Sequence, residues 1–194
     1  LRAVRDAAGD SVAIIAKMNM EDGVPGGIWL DQSIPAAQLI ESDGTLDAIE
    51  FTVGSSLANP MYLFRGEVPW DEFTKAAPGP MKAALKTVGG KFLREYPFEE
   101  AFLLPYAREF RRALSLPLVL LGGINKRETI DRAMAEGFDF VAMGRALLRE
   151  PDLVNKMAAG SSDEALCVHC NRCMPTIYSE RGTHCVLAVA LGEQ

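Results

Sequence analysis

The sequence has no apolar run long enough to cross a membrane and no cluster of basic residues. A helix that spans a bilayer needs about 20 consecutive apolar residues, and no segment of the chain approaches that length. The formal net charge is −6, so the chain as a whole repels nucleic acid and anionic lipid. The sequence therefore predicts a protein that has neither a nucleic-acid partner nor a membrane partner.

Cysteine is absent from most of the chain. All four cysteines lie between Cys167 and Cys185, whereas the bridges of a secreted disulfide framework are usually spread through the fold. We therefore expect a reducing, cytoplasmic location and a local metal site in this segment.

Short apolar runs alternate with helical patterns along the chain. Four runs are predicted to be buried parallel strands: Ser11–Lys17, Leu46–Thr52, Leu116–Leu121 and Phe138–Met143. Between the first two, Ser33 is predicted to cap a helix that has Pro35 near its first turn. Pro105 is predicted to start a later helix or to kink it, and Gly137 is predicted to end another.

Strands that alternate with helices imply a parallel sheet built by right-handed crossovers. The chain has no dinucleotide-type GxGxxG motif, which points to part of a barrel rather than a Rossmann sheet. A complete (β/α)₈ barrel needs about 250 residues and eight strands, more than this chain offers. We therefore predict an α/β fold, with a parallel (β/α) half-barrel over residues 1–160, an inserted excursion at about 54–97, and a Cys-rich tail over 161–194.

Glycines follow the last two predicted strands. Gly122 and Gly123 come directly after the third strand, and Gly144 and Arg145 come after the fourth. In (β/α)₈ barrels the loops after the last two strands commonly bind a phosphate group. Glycines let backbone N–H groups approach its oxygens, and an arginine can add a charged fork. The alternative is that these glycines merely end their strands.

The cysteines follow the pattern C-x2-C-x2-C-x11-C, formed by Cys167, Cys170, Cys173 and Cys185. Four thiolates on this spacing can hold a [4Fe–4S] cluster or a tetrahedral zinc ion. The third possibility is a set of free or oxidised thiols that bind no metal.

Several segments resemble the C-terminal half of the NADH:flavin oxidoreductase family, the old yellow enzyme class. They are PLVLLGGI, FDFVAMGRALLREPDLVNKM, CVHCNRC, IIAKMNMEDG and NPMYLFRGEVP, so the resemblance covers essentially the whole chain. Within the family, the chain is most similar to members that resemble dienoyl-CoA reductase and trimethylamine dehydrogenase. The resemblance implies an FMN-binding barrel, in which the four predicted strands are strands five to eight.

The resemblance also implies an activity and a set of site residues. The implied activity moves hydride from NAD(P)H through FMN to an activated alkene, an enoyl thioester or a similar acceptor. Lys17 would touch the flavin and stabilise its reduced ring, because a fixed cation offsets the negative charge that hydride transfer leaves there. The implied phosphate-binding residues are Gly122, Gly123, Gly144 and Arg145, and the four cysteines would hold a [4Fe–4S] cluster.

The family's residues that bind the substrate carbonyl and donate a proton lie in the other half of the barrel. The resemblance therefore implies that this chain alone is weakly active or inactive. A half-barrel leaves open sheet edges, so we expect a second copy or a missing N-terminal half-barrel as partner. Arg65 is a candidate for binding an acidic group, with a surface salt bridge as the alternative. Other functions that remain open are a non-catalytic metal-binding or assembly module and a phosphate-binding isomerase or aldolase barrel.

Overall fold

Four parallel strands form one sheet in the computed structural model, which describes residues 1–77 and 79–192. The strands are β1 (Ile15–Asn19), β2 (Ala48–Thr52), β3 (Leu118–Leu121) and β4 (Phe140–Ala142). Each strand pairs with the next one along the chain, in the order β1-β2-β3-β4. A sequential parallel order is typical of a barrel segment, whereas a doubly wound sheet reverses its order. The predicted α/β half-barrel is confirmed.

Helices precede, connect and follow the strands. In the described part of the chain they are α1 (Arg2–Ala8), α2 (Leu30–Ser42), α3 (Trp70–Ala76), α4 (Gly79–Phe92), α5 (Leu104–Ala113), α6 (Arg127–Ala135), α7 (Arg145–Arg149), α8 (Leu153–Ala158) and α9 (Val186–Ala190). Two short 3-10 helices span Pro60–Tyr62 and Met174–Tyr178. None of the helices in these described ranges has both the length and the apolar character needed to cross a membrane.

The domain boundaries predicted at residues 160 and 161 stay a prediction. The excursion predicted at about 54–97 contains the first 3-10 helix, α3 and α4. The final two residues of the predicted Cys-rich tail, 193 and 194, lie outside the described residues.

The packed face of the sheet lies against α2, α5 and α6. Its centre is formed by β2 and β3, whose fully buried side chains include Ile49, Phe51 and Leu118. The ring of Phe51 lies 4.6 Å from the ring of Phe110 on α5, measured between centroids. This aromatic contact fixes α5 on the sheet, immediately beside the start of β3.

The opposite face of the sheet is open, contrary to the prediction that the strands are buried on both faces. Ile15 on β1 and Phe140 on β4 are 55% and 57% exposed. In a half-barrel this face is the inner wall, and within the described residues no element covers it. The apolar sequence of these strands is typical of strands that pack against neighbouring elements on both faces. In the described part of the chain, such elements are present on one face.

Each of β2, β3 and β4 begins two residues later than predicted, and two local predictions differ more. β1 begins four residues later than predicted, so Lys17 lies at its centre rather than its end. Ser33 is inside α2 and does not cap it; its buried hydroxyl donates to the carbonyl oxygen of Met20 at 2.6 Å instead. Pro105 is in the first turn of α5, and Gly137, with φ of 87°, follows α6, as predicted.

Candidate functional site

The strands β3 and β4 end side by side at the same edge of the sheet. Leu121 pairs in register with Ala142, so the glycines that follow both strands leave the sheet together. Gly122 and Gly123 have φ values of 113° and 71°, which residues other than glycine rarely adopt. A side chain on Gly123 would place its Cβ 2.6 Å from the carbonyl oxygen of Glu99. Glycine is therefore required here for close packing as well as for the backbone conformation.

The backbone N–H groups at these two strand ends are available to a ligand. Gly144 precedes α7, and a Cβ built on it meets no atom within 4 Å. Among the residues that the structure describes, no hydrogen bond uses the N–H of Gly123, Gly144 or Arg145 as its donor. Unused amides at a glycine turn and at the start of a helix form a favourable environment for an oxyanion. This edge of the sheet therefore fits a phosphate group.

The side chain of Arg145 is directed toward the cysteine segment. Its Nη1 donates to the carbonyl oxygen of Arg65 at 2.8 Å and to Oδ1 of Asn171. Burial lowers the pKa of Arg145, and the nearby cysteines oppose that shift. In this structure the guanidinium therefore joins the excursion to the cysteine segment. It lies next to the glycine tips, as we call Gly122 and Gly123 after β3 and Gly144 after β4.

All four predicted cysteines line one pocket. Its empty volume is about 350 Å³ with the open mouth included, and Arg145 forms part of its wall. The four cysteines are Cys167, Cys170, Cys173 and Cys185, and all of them are free thiols. Burial raises the pKa of Cys167 and raises that of Cys173 to about 11, although the charge of Arg145 acts in the opposite direction. Across the described ranges, no group of three or more His, Cys, Asp or Glu residues is arranged to hold a metal ion.

The cysteine loop carries two residues in the left-handed conformation. His169 and Asn171, which flank Cys170, have φ values of 56° and 55°. Such conformations let successive backbone N–H groups converge, as they do around many phosphate and iron–sulfur sites. The loop backbone therefore favours a negatively charged group in the pocket.

His169 connects the cysteine loop to the end of β3. Its ring stacks on Phe98 with 3.4 Å between centroids and 10° between planes, and its Nε2 lies 2.8 Å from Nδ2 of Asn125. Burial lowers the pKa of His169 to about 4, and the charge of Arg145 adds to the shift. The imidazole is therefore neutral at physiological pH.

Lys17 lies on the open face of the sheet and is 58% exposed. Its Nζ is 3.0 Å from Oε1 of Glu50, its register partner on β2. Two residues nearer the carboxyl end of β1, Asn19 donates to Asp22 at 2.7 Å and to the carbonyl oxygen of Gly54 at 2.8 Å. Lys17 is thus on the inner wall of the half-barrel, below the edge that carries the glycine tips.

Two features of the site were not predicted from the sequence. One is Asn171, which is 1% exposed and binds the excursion through its side chain. The other is the pair of Tyr62 and the buried Glu21, in which the tyrosine hydroxyl donates to the carboxylate. Burial raises the pKa of Tyr62, and the hydrogen bond to Glu21 adds to this shift. The only sequence feature that could have indicated the first of these is that Asn171 is an asparagine, which tolerates the left-handed backbone conformation better than most residues.

A family model described as histidine biosynthesis protein matches residues 99–183, which is less than half of the chain. The matched part contains β3, β4, both glycine tips and the first three cysteines. It therefore covers the candidate phosphate edge and does not assign the family of the whole chain.

Curated relatives match the chain over almost its whole length. The 4,4'-dithiodibutanoate disulfide reductase of Rhodococcus erythropolis is 60% identical over 191 residues, which is 98% of this chain and 47% of that protein. The multifunctional alkene reductase/demethylase OYE of Caballeronia cordobensis is 27% identical over 172 residues, which is 88% of this chain and 21% of that protein. The chain therefore spans less than half the length of these relatives.

Among solved structures, a 2-naphthoyl-CoA reductase in complex with 2-naphthoyl-CoA has a similar fold. It superimposes with a TM-score of 0.63 at 19% identity, covering 94% of this chain and 23% of that one. The resemblance found in the sequence is confirmed by these relatives and by this fold. The chain is related to the C-terminal part of the NADH:flavin oxidoreductases, the old yellow enzyme class.

Proposed function

We propose that the chain provides the flavin-phosphate end of an FMN-dependent NAD(P)H oxidoreductase. The observation that carries this proposal is the pair of adjacent strand ends at Gly123 and Gly144, whose backbone N–H groups are unused. The relatives named as a disulfide reductase and an alkene reductase support the same chemistry. A non-catalytic metal-binding or assembly module is not favoured, because the relatives are named as enzymes.

Bound FMN would supply hydride transfer from NAD(P)H to an acceptor. The glycine amides would hold the phosphate through hydrogen bonds. Lys17 would place a positive charge at the inner wall of the barrel, where it stabilises negative charge on a reduced ring. Its partner Glu50 keeps the ammonium group in position and reduces its effect, so Lys17 acts as a modest electrostatic aid.

The acceptor that we favour is a small organic disulfide that carries carboxylates. The relative at 60% identity is named for such a compound, and that identity exceeds that of the alkene reductase. The reaction balances as one disulfide, one NAD(P)H and one proton giving two thiols and NAD(P)⁺. An activated alkene or an enoyl thioester, which accepts hydride in the same way, is the second class that the proposal admits.

We also propose that the four cysteines hold a [4Fe–4S] cluster. They line one pocket, and four cysteines on this spacing can hold such a cluster. The left-handed residues of the loop and the guanidinium of Arg145 would stabilise the negative charge of the bound thiolates. The cluster would exchange single electrons with other redox groups.

A second half-barrel is proposed to cover the open face of the sheet. The exposed Ile15 and Phe140 lie on that face, and β1 and β4 form its two edges. The partner is either a second copy of this chain or a further four-stranded segment, for which the unmatched length of the relatives leaves room. Sedimentation of the chain as a monomer that binds no flavin would contradict this part of the proposal.

The test of the proposed function is the cofactor content of the anaerobically purified chain. We expect it to bind FMN more tightly than riboflavin, which lacks the phosphate, and to contain iron but no zinc. Cys185→Ser should lower the iron content and leave FMN binding intact. Equal affinity for FMN and riboflavin would refute the phosphate site, and bound zinc would refute the cluster.

A further inference from the structure

Arg65 is a largely buried arginine, and one nitrogen of its side chain lacks the hydrogen-bond partner that burial normally requires. It follows the 3-10 helix Pro60–Tyr62 in the excursion, and its side chain is only 15% exposed. Its Nε is buried and has no hydrogen-bond partner in the part of the chain that the structure describes. Its Nη1 is 3.8 Å from Oε2 of Glu99, which is beyond hydrogen-bond distance.

Aromatic rings, rather than carboxylates, hold the guanidinium in place. Its Cζ lies 4.4 Å from the ring centroid of Phe102 and 5.8 Å from that of Tyr62. Such contacts fix the orientation of the group and leave its N–H donors unused. A buried guanidinium without hydrogen-bonded acceptors is costly to keep, so the arrangement calls for a ligand.

Arg65 is linked to both strand ends through neighbouring residues. The guanidinium of Arg65 packs on the ring of Phe102. That ring lies beside the end of β3, where a Cβ built on Gly123 would be 2.8 Å from its Cδ1. The backbone carbonyl of Arg65 accepts the hydrogen bond from Arg145, which follows Gly144. The cation is therefore held at the same edge of the sheet as the unused amides.

We propose that Arg65 binds an oxyanion at this edge: a carboxylate of the acceptor, or the phosphate of the flavin. Glu99, whose side chain is largely exposed, occupies a loose position beside the guanidinium and would be displaced by that ligand. The planar fork of arginine suits either oxyanion, because two parallel N–H groups can reach two oxygens. The case in which the ligand is a carboxylate of the acceptor rests on the proposed function, because the class of acceptor is taken from that proposal.

The experiment compares the full chain with Arg65→Met, Arg65→Lys and the control Arg111→Met. Arg111 is buried to a similar degree, at 19% exposure, but its donors reach the carbonyl oxygens of Leu116 and Gly137 at the far end of β3. Calorimetry measures binding of two matched pairs: 4,4'-dithiodibutanoate with its neutral diamide, and FMN with riboflavin. Thermal unfolding without ligand is measured for every variant.

We expect Arg65→Met to weaken binding of one charged member about 10- to 100-fold and to leave its neutral counterpart unchanged. Loss of dithiodibutanoate binding identifies the carboxylate source, and loss of FMN binding identifies the phosphate source. Arg65→Lys should restore only part of the affinity, because it keeps the charge and loses the fork. The melting temperature of Arg65→Met should stay the same or rise, whereas that of Arg111→Met should fall.

Three results would overturn the proposal. The first is unchanged binding of both charged ligands by Arg65→Met, and the second is no binding of either ligand by the wild-type chain. The third is a fall in melting temperature as large as that of Arg111→Met, which would show a structural arginine. A wild-type chain that binds the disulfide through Arg65 but does not bind FMN supports the Arg65 proposal and refutes the flavin function.

Discussion

The side-chain amide of Asn171 donates to the backbone carbonyl of Phe64 at 2.6 Å, across more than a hundred residues of sequence. The same nitrogen donates to the carbonyl of Glu67 at 2.9 Å, and the amide oxygen accepts from Arg145. One buried asparagine of the cysteine loop thus links that loop to the excursion and to the arginine that follows β4. These hydrogen bonds explain why the loop keeps a defined shape without a disulfide.

Replacing Asn171 should destabilise the chain in two separable ways. Asn171→Gly keeps the left-handed backbone but loses the side-chain hydrogen bonds, and we expect a loss of about 2–3 kcal/mol in the free energy of unfolding. Asn171→Ala should cost about 1–2 kcal/mol more, because alanine is strained at a φ of 55°. Urea denaturation measures both, with the exposed Asn155→Ala as control. Wild-type stability in Asn171→Gly would contradict this assignment.

The two glycine tips should respond differently to an added methyl group. Gly144→Ala should change the unfolding free energy by less than about 0.5 kcal/mol, because a Cβ there meets no atom within 4 Å. Its FMN affinity should nevertheless fall, since the methyl group hinders approach to the backbone. Gly123→Ala should lower the unfolding free energy by more than about 2 kcal/mol, because Gly123 has a positive φ and an added Cβ would clash with the carbonyl oxygen of Glu99. Equal FMN affinity in wild type and Gly144→Ala would argue against a phosphate at this tip.

The stability of the cysteine loop in the metal-free chain should fall in mild acid. The folded-state pKa of His169 is about 4, below the usual histidine value of 6.5, so the unfolded chain binds more protons between these two values. This contribution is fully present above about pH 6.5 and is lost as the pH falls through about 4. His169→Asn removes the titrating ring and tolerates the left-handed backbone, so its stability should depend less on pH over that window.

Denaturation of the two proteins at a series of pH values tests this expectation. His184→Asn is the matched control, because it removes the other histidine of the chain. It should keep the pH dependence of the wild type. Parallel pH profiles for the wild type and His169→Asn would contradict the role assigned to the buried ring.

Lys17 should matter for the flavin and little for the fold. The Lys17 side chain of the ion pair with Glu50 is more than half exposed, so Lys17→Met should change the unfolding free energy by no more than about 1 kcal/mol. The midpoint potential of bound FMN should become more negative, because a cation that stabilises the reduced ring is lost. Lys126→Met, which removes a comparable ion pair with Glu164, serves as control. An unchanged potential would exclude Lys17 from the flavin site.

Local patterns were sufficient to predict the sheet and its order. The first-turn position of Pro105 and the position of Gly137 after α6 were correct, because these residues act through their own backbone conformation. The start of β1 was placed too early, because the run from Ser11 is as apolar as the strand itself. Pairing with β2 decides the boundary: Ile15 pairs with Ala48, while the N–H of Ile14 binds the carboxylate of Asp47.

The side-chain directions in the site could not be predicted. Gly144 and Arg145 were expected to act together on a phosphate, but the Arg145 side chain donates to the Arg65 carbonyl and to Asn171. Those acceptors come from segments 80 residues before and 26 residues after it, and no local pattern encodes such contacts. The same holds for the stack of His169 on Phe98.

The close approach of Gly66 to the cysteine loop has a practical consequence for engineering. A Cβ on Gly66 would overlap the carbonyl oxygen of His169, and the N–H of Glu67 donates to that same oxygen at 3.1 Å. Grafting the loop alone onto another barrel would leave this carbonyl facing a bulkier and mismatched surface. A transplant of the cysteine motif must therefore bring the 64–67 segment with it.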